Sequence, residues 1–228
     1  MDDVTIRLRV HYAKAGRLRF LSHLELIATL ERIVRRSGLP FAVTQGFSPR
    51  MKLAFNLPLP VGIAGENEFF DVWLTSFVDT NEACMSLRKA APASIVVHDV
   101  SYVPSQRPSL SAYYTNSAYR LDFVFNNHEG VFKELANILA KYREEGSLSF
   151  EKKGKEKILF FDDVFFREPH ILKTDEGTYE LMLYLKPSDA GSLRPELFFT
   201  NYQERAAGEG YNITLQCITR TEQFPSTS

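Results

Sequence analysis

The chain has 228 residues, 44% hydrophobic and 24% charged, with a formal net charge of −1. That composition excludes a disordered or collagenous chain and a uniformly basic nucleic-acid coat, and the length suits one large domain or two of about 110 residues. Two cysteines, Cys84 and Cys217, cannot by themselves build a multi-cysteine metal or iron–sulfur site.

In chain order, Met1-Asp2-Asp3 opens acidic, without the pattern of a secretory signal, and no apolar run reaches the length of a membrane span. The expectation is a cytoplasmic protein with reduced thiols. Residues 4–12 alternate apolar and polar and predict a strand. Ser22-His23-Leu24-Glu25 has the spacing of a capping box, and Leu26, Ile27, Leu30, Ile33 and Val34 then share one face of a helix over about 22–37. Gly38 and Pro40 end it. Short extended pieces follow near 41–44 and 51–56, a strand at 68–75, a helix at 80–90 and a strand at 94–103. The order β-α-β-β-α-β is the ferredoxin-like pattern.

The second half reads as a repeat of it. A strand at 118–125 and a helix at 129–142 precede a hairpin at 147–152 and 156–161. A strand at 179–186, a helix at 193–205 and a strand at 212–221 complete it. The fold class is therefore α+β, with two tandem ferredoxin-like units, duplicated and sharing a groove. Residues 1–104 form the first unit, 105–116 a linker rich in Pro, Ser and Tyr, and 117–228 the second unit. A single continuous α+β domain is the runner-up.

The charge is unevenly spread. Residues 1–56 carry ten Lys/Arg against four Asp/Glu, so +6, and the remainder seventeen against twenty-four, so −7. A near-neutral chain with one basic lobe points to a local anionic partner. Arg7 and Arg9, and then Arg17 and Arg19, alternate with apolar residues. In strands each pair faces one side, and adjacent rows make a basic face suited to phosphate. Ser22 and His23 open the first helix, where the macrodipole disfavours imidazolium, so a neutral His23 ring is a candidate base. Gln45, Gly46, Phe47, Ser48, Pro49 and Arg50 form a loop in which Phe47 is a candidate base-stacking platform, with Arg50 and Lys52 on phosphate. Helix electrostatics alone accounts for Arg32, Arg35 and Arg36. Cys84 and Cys217 read as structural thiols. His11, His98, His128 and His170 are scattered, without metal-ligand spacing, and Asp162-Asp163 with Asp175-Glu176 read as solvated loop charge. No P-loop, Rossmann fingerprint or Gly-x-Ser-x-Gly occurs, and neither cofactor nor metal is expected.

Several segments carry a resemblance: Arg17–Leu26 (RLRFLSHLEL), Arg35–Pro40 (RRSGLP), Gly46–Phe55 (GFSPRMKLAF), Leu57–Gly62 (LPLPVG), Glu68–Val72 (EFFDV), Pro108–Ala112 (PSLSA) and Arg220–Glu222 (RTE). In these the chain resembles the uncharacterised bacterial radical-SAM-linked protein family, whose domain occurs alone or fused behind cobalamin-type radical-SAM enzymes. The resemblance implies a partnership with a radical-SAM enzyme, not a reaction. No Cys-x-x-x-Cys-x-x-Cys motif is present, so the chain would serve such an enzyme as a separate subunit. A weaker likeness is to tandem ferredoxin-like ribonucleases that process CRISPR transcripts. They share the inferred layout, and Gly208-Glu209-Gly210 is similar to their glycine-rich loop. The expected function is a non-catalytic accessory protein that binds structured RNA, tRNA or rRNA, and cooperates with a separate radical-SAM enzyme. The alternatives are a metal-independent ribonuclease with His23 as base and a pure protein-interaction module.

Overall fold

Alternation in the first strand sets the plan of the N-terminal half. In β1 (Ile6–Lys14), Leu8, Val10 and Tyr12 point one way and are buried, while Arg7, Arg9 and His11 point the other. The computed structural model describes residues 5–125, 131–152, 155–174, 178–189 and 191–225. The chain divides into two units, Met1–Tyr114 and Thr115–Phe224, with Pro225–Ser228 counted with the first. It is a mixed α/β protein whose described strand pairs are antiparallel.

In the first unit, β1 pairs with β3 (Ala64–Leu74) and with β4 (Ile95–Tyr102), and β2 (Leu53–Phe55) pairs with β3. The resulting order is β4-β1-β3-β2. Two helices, α1 (His23–Ser37) and α2 (Thr80–Ala90), supply Leu26, Leu30, Ile33, Val34, Ala83 and Leu87. These pack with Leu8, Val10, Phe70, Val72 and Leu74 in one core. Each large aliphatic side chain so buried contributes about 1.5–3 kcal/mol.

The start of α1 follows the expected chemistry. Glu25 N–H donates to Ser22 Oγ at 3.4 Å, and Ser22 N–H donates to Glu25 Oε2 at 2.8 Å. Gly38 closes the helix at φ +75°, a conformation that favours glycine. Asp79 caps α2 by accepting from the N–H groups of Asn81 and Glu82.

One expectation fails between β1 and α1. Arg17 and Arg19 are not on a strand: Gly16 turns the chain at φ +57°, and Gly16–Phe20 forms a 3-10 helix. With three residues per turn, positions i and i+2 diverge, so these arginines do not share a face as strand residues would.

Residues 103–113, which overlap the stretch read as a linker, are held against the first unit. The Arg7 guanidinium donates to the carbonyls of Arg107 and Pro108, Leu110 of the short helix α3 (Leu110–Tyr113) is fully buried, and the Tyr114 ring stacks on Phe69 at 4.9 Å.

In the second unit the strands are β5 (Tyr114–Phe125), β8 (His170–Lys173), β9 (Tyr179–Leu185) and β10 (Ile213–Pro225), in the order β10-β5-β9-β8. The hairpin expected at 147–161 exists as β6 (Ser147–Lys152) and β7 (Lys155–Phe160), but it forms its own two-stranded sheet. The strand that pairs with β9 is β8, a four-residue element too short to give a period-2 signal. Between these elements lie α4 (Val131–Glu145), α5 (Phe161–Val164) and α6 (Pro195–Gly208). Helices α4 and α6 are joined through aromatic hydroxyls: Tyr202 donates to the Leu135 carbonyl at 2.8 Å and Tyr142 to Asn201 Oδ1 at 2.7 Å. Burial raises both phenol pKa values above the ordinary range, so both hydroxyls stay protonated donors. Among the described residues no helix is long and apolar enough to cross a membrane.

Candidate nucleic-acid interface

The basic residues of the first unit fall into two groups with different surroundings. The first lies on the face of the sheet opposite α1 and α2. Asp71 projects from β3 onto that face and is fully buried. Arg7 Nε donates to its Oδ2 at 2.7 Å, and Arg9 Nε donates to its Oδ1 at 2.8 Å. The two guanidiniums also meet rings, Arg7 over Trp73 and Arg9 over Tyr114, and Lys52 lies over Trp73 at 5.1 Å. Arg7 and Arg9 are 8% and 6% exposed. Alternation correctly sets them on one face, but there the two guanidiniums share one buried carboxylate and are largely withdrawn from solvent, so they are not an open row of cations.

The second group lies along α1 and on the 3-10 helix that precedes it. The loop 44–50 is closed at its base by Thr44 N–H to the Arg50 carbonyl at 2.7 Å and by Arg50 N–H to Thr44 Oγ1 at 3.1 Å. Its tip is Gly46-Phe47, with Gly46 at φ +139° and the Phe47 side chain fully exposed. Gln45, Ser48, Pro49 and Arg50 are exposed as well. Pro49 and Arg50 line a groove of about 440 Å³ with Leu24, Ile27, Glu31 and Arg35 of α1. Arg17 is exposed on the 3-10 helix, and the neighbouring Arg19 carbonyl accepts from Gly62 N–H at 2.9 Å, which ties in the loop before β3. Phe20, Leu24, Val43, Leu57 and Val61 are exposed apolar residues of the same segments.

His23 opens α1. Its ring meets Phe55 edge-on at 5.9 Å. Burial, and then the charge of Lys14, lowers its pKa below the ordinary histidine value, so the ring is neutral at pH 7. The Ser22 hydroxyl is engaged in the helix cap and donates to Glu25 Oε2 at 2.7 Å, which holds the Glu25 carboxyl below its usual range.

The structure thus sets Pro49 and Arg50 of the Phe47 loop along α1, from Leu24 to Arg35, while His23 meets Phe55 at the start of that helix. It places Arg7, Arg9 and Lys52 on the other face of the sheet. The sequence reading missed Asp71, although the alternation of Phe69-Phe70-Asp71-Val72-Trp73 already set it on one face with the aromatic Phe69 and Trp73.

It also missed a histidine pair. His11 and His98 lie with ring centroids 4.7 Å apart, because the β1–β4 pairing sets His11 opposite Asp99. The His11 ring nitrogens are 2.9 Å from Asp99 Oδ2 and 2.7 Å from Asn67 Oδ1. Cys84 and Cys217 are half-buried thiols that are not joined in a disulfide. Asp162 pairs with Arg143, whereas Asp175, Glu176 and His128 lie outside the described residues. Among the described residues no three His, Cys, Asp or Glu side chains converge as metal ligands.

Residues 7–195 match the family described as an uncharacterized protein conserved in bacteria (DUF2344). The chain belongs to this family. The match begins in β1 and ends at the first residue of α6, so the family's common region takes in both groups of cations.

No curated protein matches the chain. Among solved structures, an unknown protein from Galdieria sulphuraria is 15% identical, covering 94% of this chain and 99% of that one at a TM-score of 0.27. A glycine cleavage system transcriptional repressor is 7% identical, covering 95% and 99% at 0.22. A heme-bound DypB variant from Rhodococcus jostii RHA1 is 9% identical, covering 99% and 94% at 0.25.

Proposed function

We propose that this family member is an RNA-binding accessory protein that performs no chemical step of its own. It holds structured RNA, tRNA or rRNA, for a separate radical-SAM enzyme. The observation that carries the reading is the loop 44–50. An aromatic ring held fully in solvent at the tip of a pinned loop costs apolar exposure, and stacking on an unpaired base recovers it. Arg50 at the loop base and Arg17 on the 3-10 helix supply cations for phosphate. The radical-SAM partner rests on the resemblance of the motif segments alone. Two ferredoxin-like copies are part of the same proposal. The strand orders β4-β1-β3-β2 and β10-β5-β9-β8 support them, with the β6–β7 hairpin and α5 inserted in the second.

The test is binding of a labelled tRNA pool across a salt series. The proposal requires affinity that falls steeply with salt and weakens in Phe47→Ala and Arg50→Ala. Salt-independent binding, or none, rejects it.

A second reading, a protein-docking module, is favoured by the exposed Phe20, Leu24, Val43, Leu57 and Val61. It predicts a stable complex with a radical-SAM enzyme and no RNA affinity. The ribonuclease reading draws on the neutral His23 ring. It predicts RNA cleavage in EDTA that His23→Ala abolishes while binding survives.

A further inference from the structure

The cluster around Asp71 leaves charge over. Arg7 and Arg9 are both buried and share this one fully buried carboxylate, and among the described residues no second acid pairs with either. Two buried guanidiniums on a single carboxylate carry a net positive charge in a medium of low dielectric, which is costly until a counter-charge arrives.

A cavity of about 270 Å³ opens beside this charge, and the strand register decides what borders it. Arg9 stands opposite Asp71 on β3 and Ser101 on β4, and His11 opposite Phe69 and Asp99, so these side chains share one face. Arg9, His11 and Ser101 line the cavity from the sheet. The turn in which Arg107 N–H donates to the Pro104 carbonyl brings Arg107 to the same space. Arg107 is exposed, rests over the Tyr113 ring at 5.2 Å and pairs with no acid among the described residues. The Ser101 hydroxyl likewise has no hydrogen-bond partner among them. The one acid among the lining residues, Asp99, is held by His11, with Oδ2 2.9 Å from Nδ1, and its side chain is 66% exposed.

These features set the sign and size of the occupant. Arg7, Arg9 and Arg107 against Asp71 and Asp99 leave one positive charge in excess, before any proton on His11 is counted. We propose that this cavity binds a small oxyanion, the phosphate or carboxylate group of a small molecule. Guanidinium and hydroxyl groups are the donors that bind such groups, and the bound anion supplies the counter-charge that the Asp71 cluster lacks. At this volume the cavity takes one small molecule rather than a run of nucleotides, so the face stays closed to an extended RNA strand. The site is separate from the loop 44–50 and does not depend on it.

The test is calorimetric titration of the full chain with inorganic phosphate and with malonate, at an ionic strength fixed with chloride. Saturable binding of one equivalent is expected, and the tighter of the two anions identifies the group. The thermal transition should rise with the bound anion and not with added chloride. Arg107→Ala, at an exposed position, should weaken binding at least tenfold. Ser101→Asp sets a fixed carboxylate opposite Arg9 and should abolish binding, and thermal transitions check that both variants fold. Absence of saturable binding by both anions overturns the proposal, as does an affinity that Arg107→Ala leaves intact. Phe47→Ala and Arg50→Ala should leave anion affinity unchanged, so a failure here is separable from a failure of the RNA surface. An affinity lost in Arg50→Ala would place the anion on that surface and overturn the assignment to this cavity.

Discussion

The sheet face opposite α1 and α2 and the surface along α1 carry similar residue types, arginines beside aromatic rings, yet they differ in what those residues are free to do. On the sheet face a single buried carboxylate, Asp71, holds Arg7 and Arg9, and Arg7 spends its remaining donors on the carbonyls of Arg107 and Pro108. Along α1 and on the preceding 3-10 helix, Arg17 and Arg50 are exposed and Phe47 stands in solvent. Charge counted along the sequence therefore overstates what a ligand meets, because a buried pair is committed to the fold.

The contrast can be broken from either side. The largest effect is expected at Asp71. Asp71→Ala leaves two guanidiniums buried without their acid and should lower stability by about 3–5 kcal/mol, measured by urea denaturation. An effect below about 1 kcal/mol would mean that the sheet face is open to water, and would return Arg7 and Arg9 to the ligand surface. Next is Phe47→Ala. It should leave stability within about 0.5 kcal/mol of the parent, yet cost about 1–3 kcal/mol of RNA affinity, read by filter binding. Loss of stability instead would make the ring a packing residue. Third is Ser22→Ala, which removes the cap of α1 and should cost about 1 kcal/mol in the same denaturation assay.

The smallest expected effect concerns His23. Its folded pKa lies below the ordinary value of 6.5, so the unfolded chain takes the proton first. As pH falls below 6.5 the wild type should lose stability, with the loss levelling off below the folded pKa. A His23→Gln variant should lack that component. A pH–stability curve that is the same in both would show that the ring is not shielded.

The first unit was largely legible because its signals are local. The capping box, the apolar stripe of α1 and the alternation in β1 each predict their element from neighbouring residues. The turn at Gly16 was not legible, since Arg17-Leu18-Arg19-Phe20 alternates like a strand and only the positive φ of Gly16 diverts it. In the second unit the β6–β7 hairpin has a strong local pattern and was found, while its separation from the main sheet depends on long-range pairing that no short window contains. Asp71 and the His11–His98 pair were missed for the same reason. Their partners lie across strand pairings, and residue type alone does not report a partner some sixty to ninety residues away.

If Arg17 and Arg50, rather than the cations on the sheet, grip RNA, salt should reveal it. The most direct measurement is the salt dependence of RNA affinity for the parent and an Arg17→Ala/Arg50→Ala variant. The predicted result is a log–log slope reduced by about 0.7 for each phosphate that the variant no longer neutralises, with unchanged stability. An unchanged slope and affinity would contradict the assignment of RNA to Arg17 and Arg50.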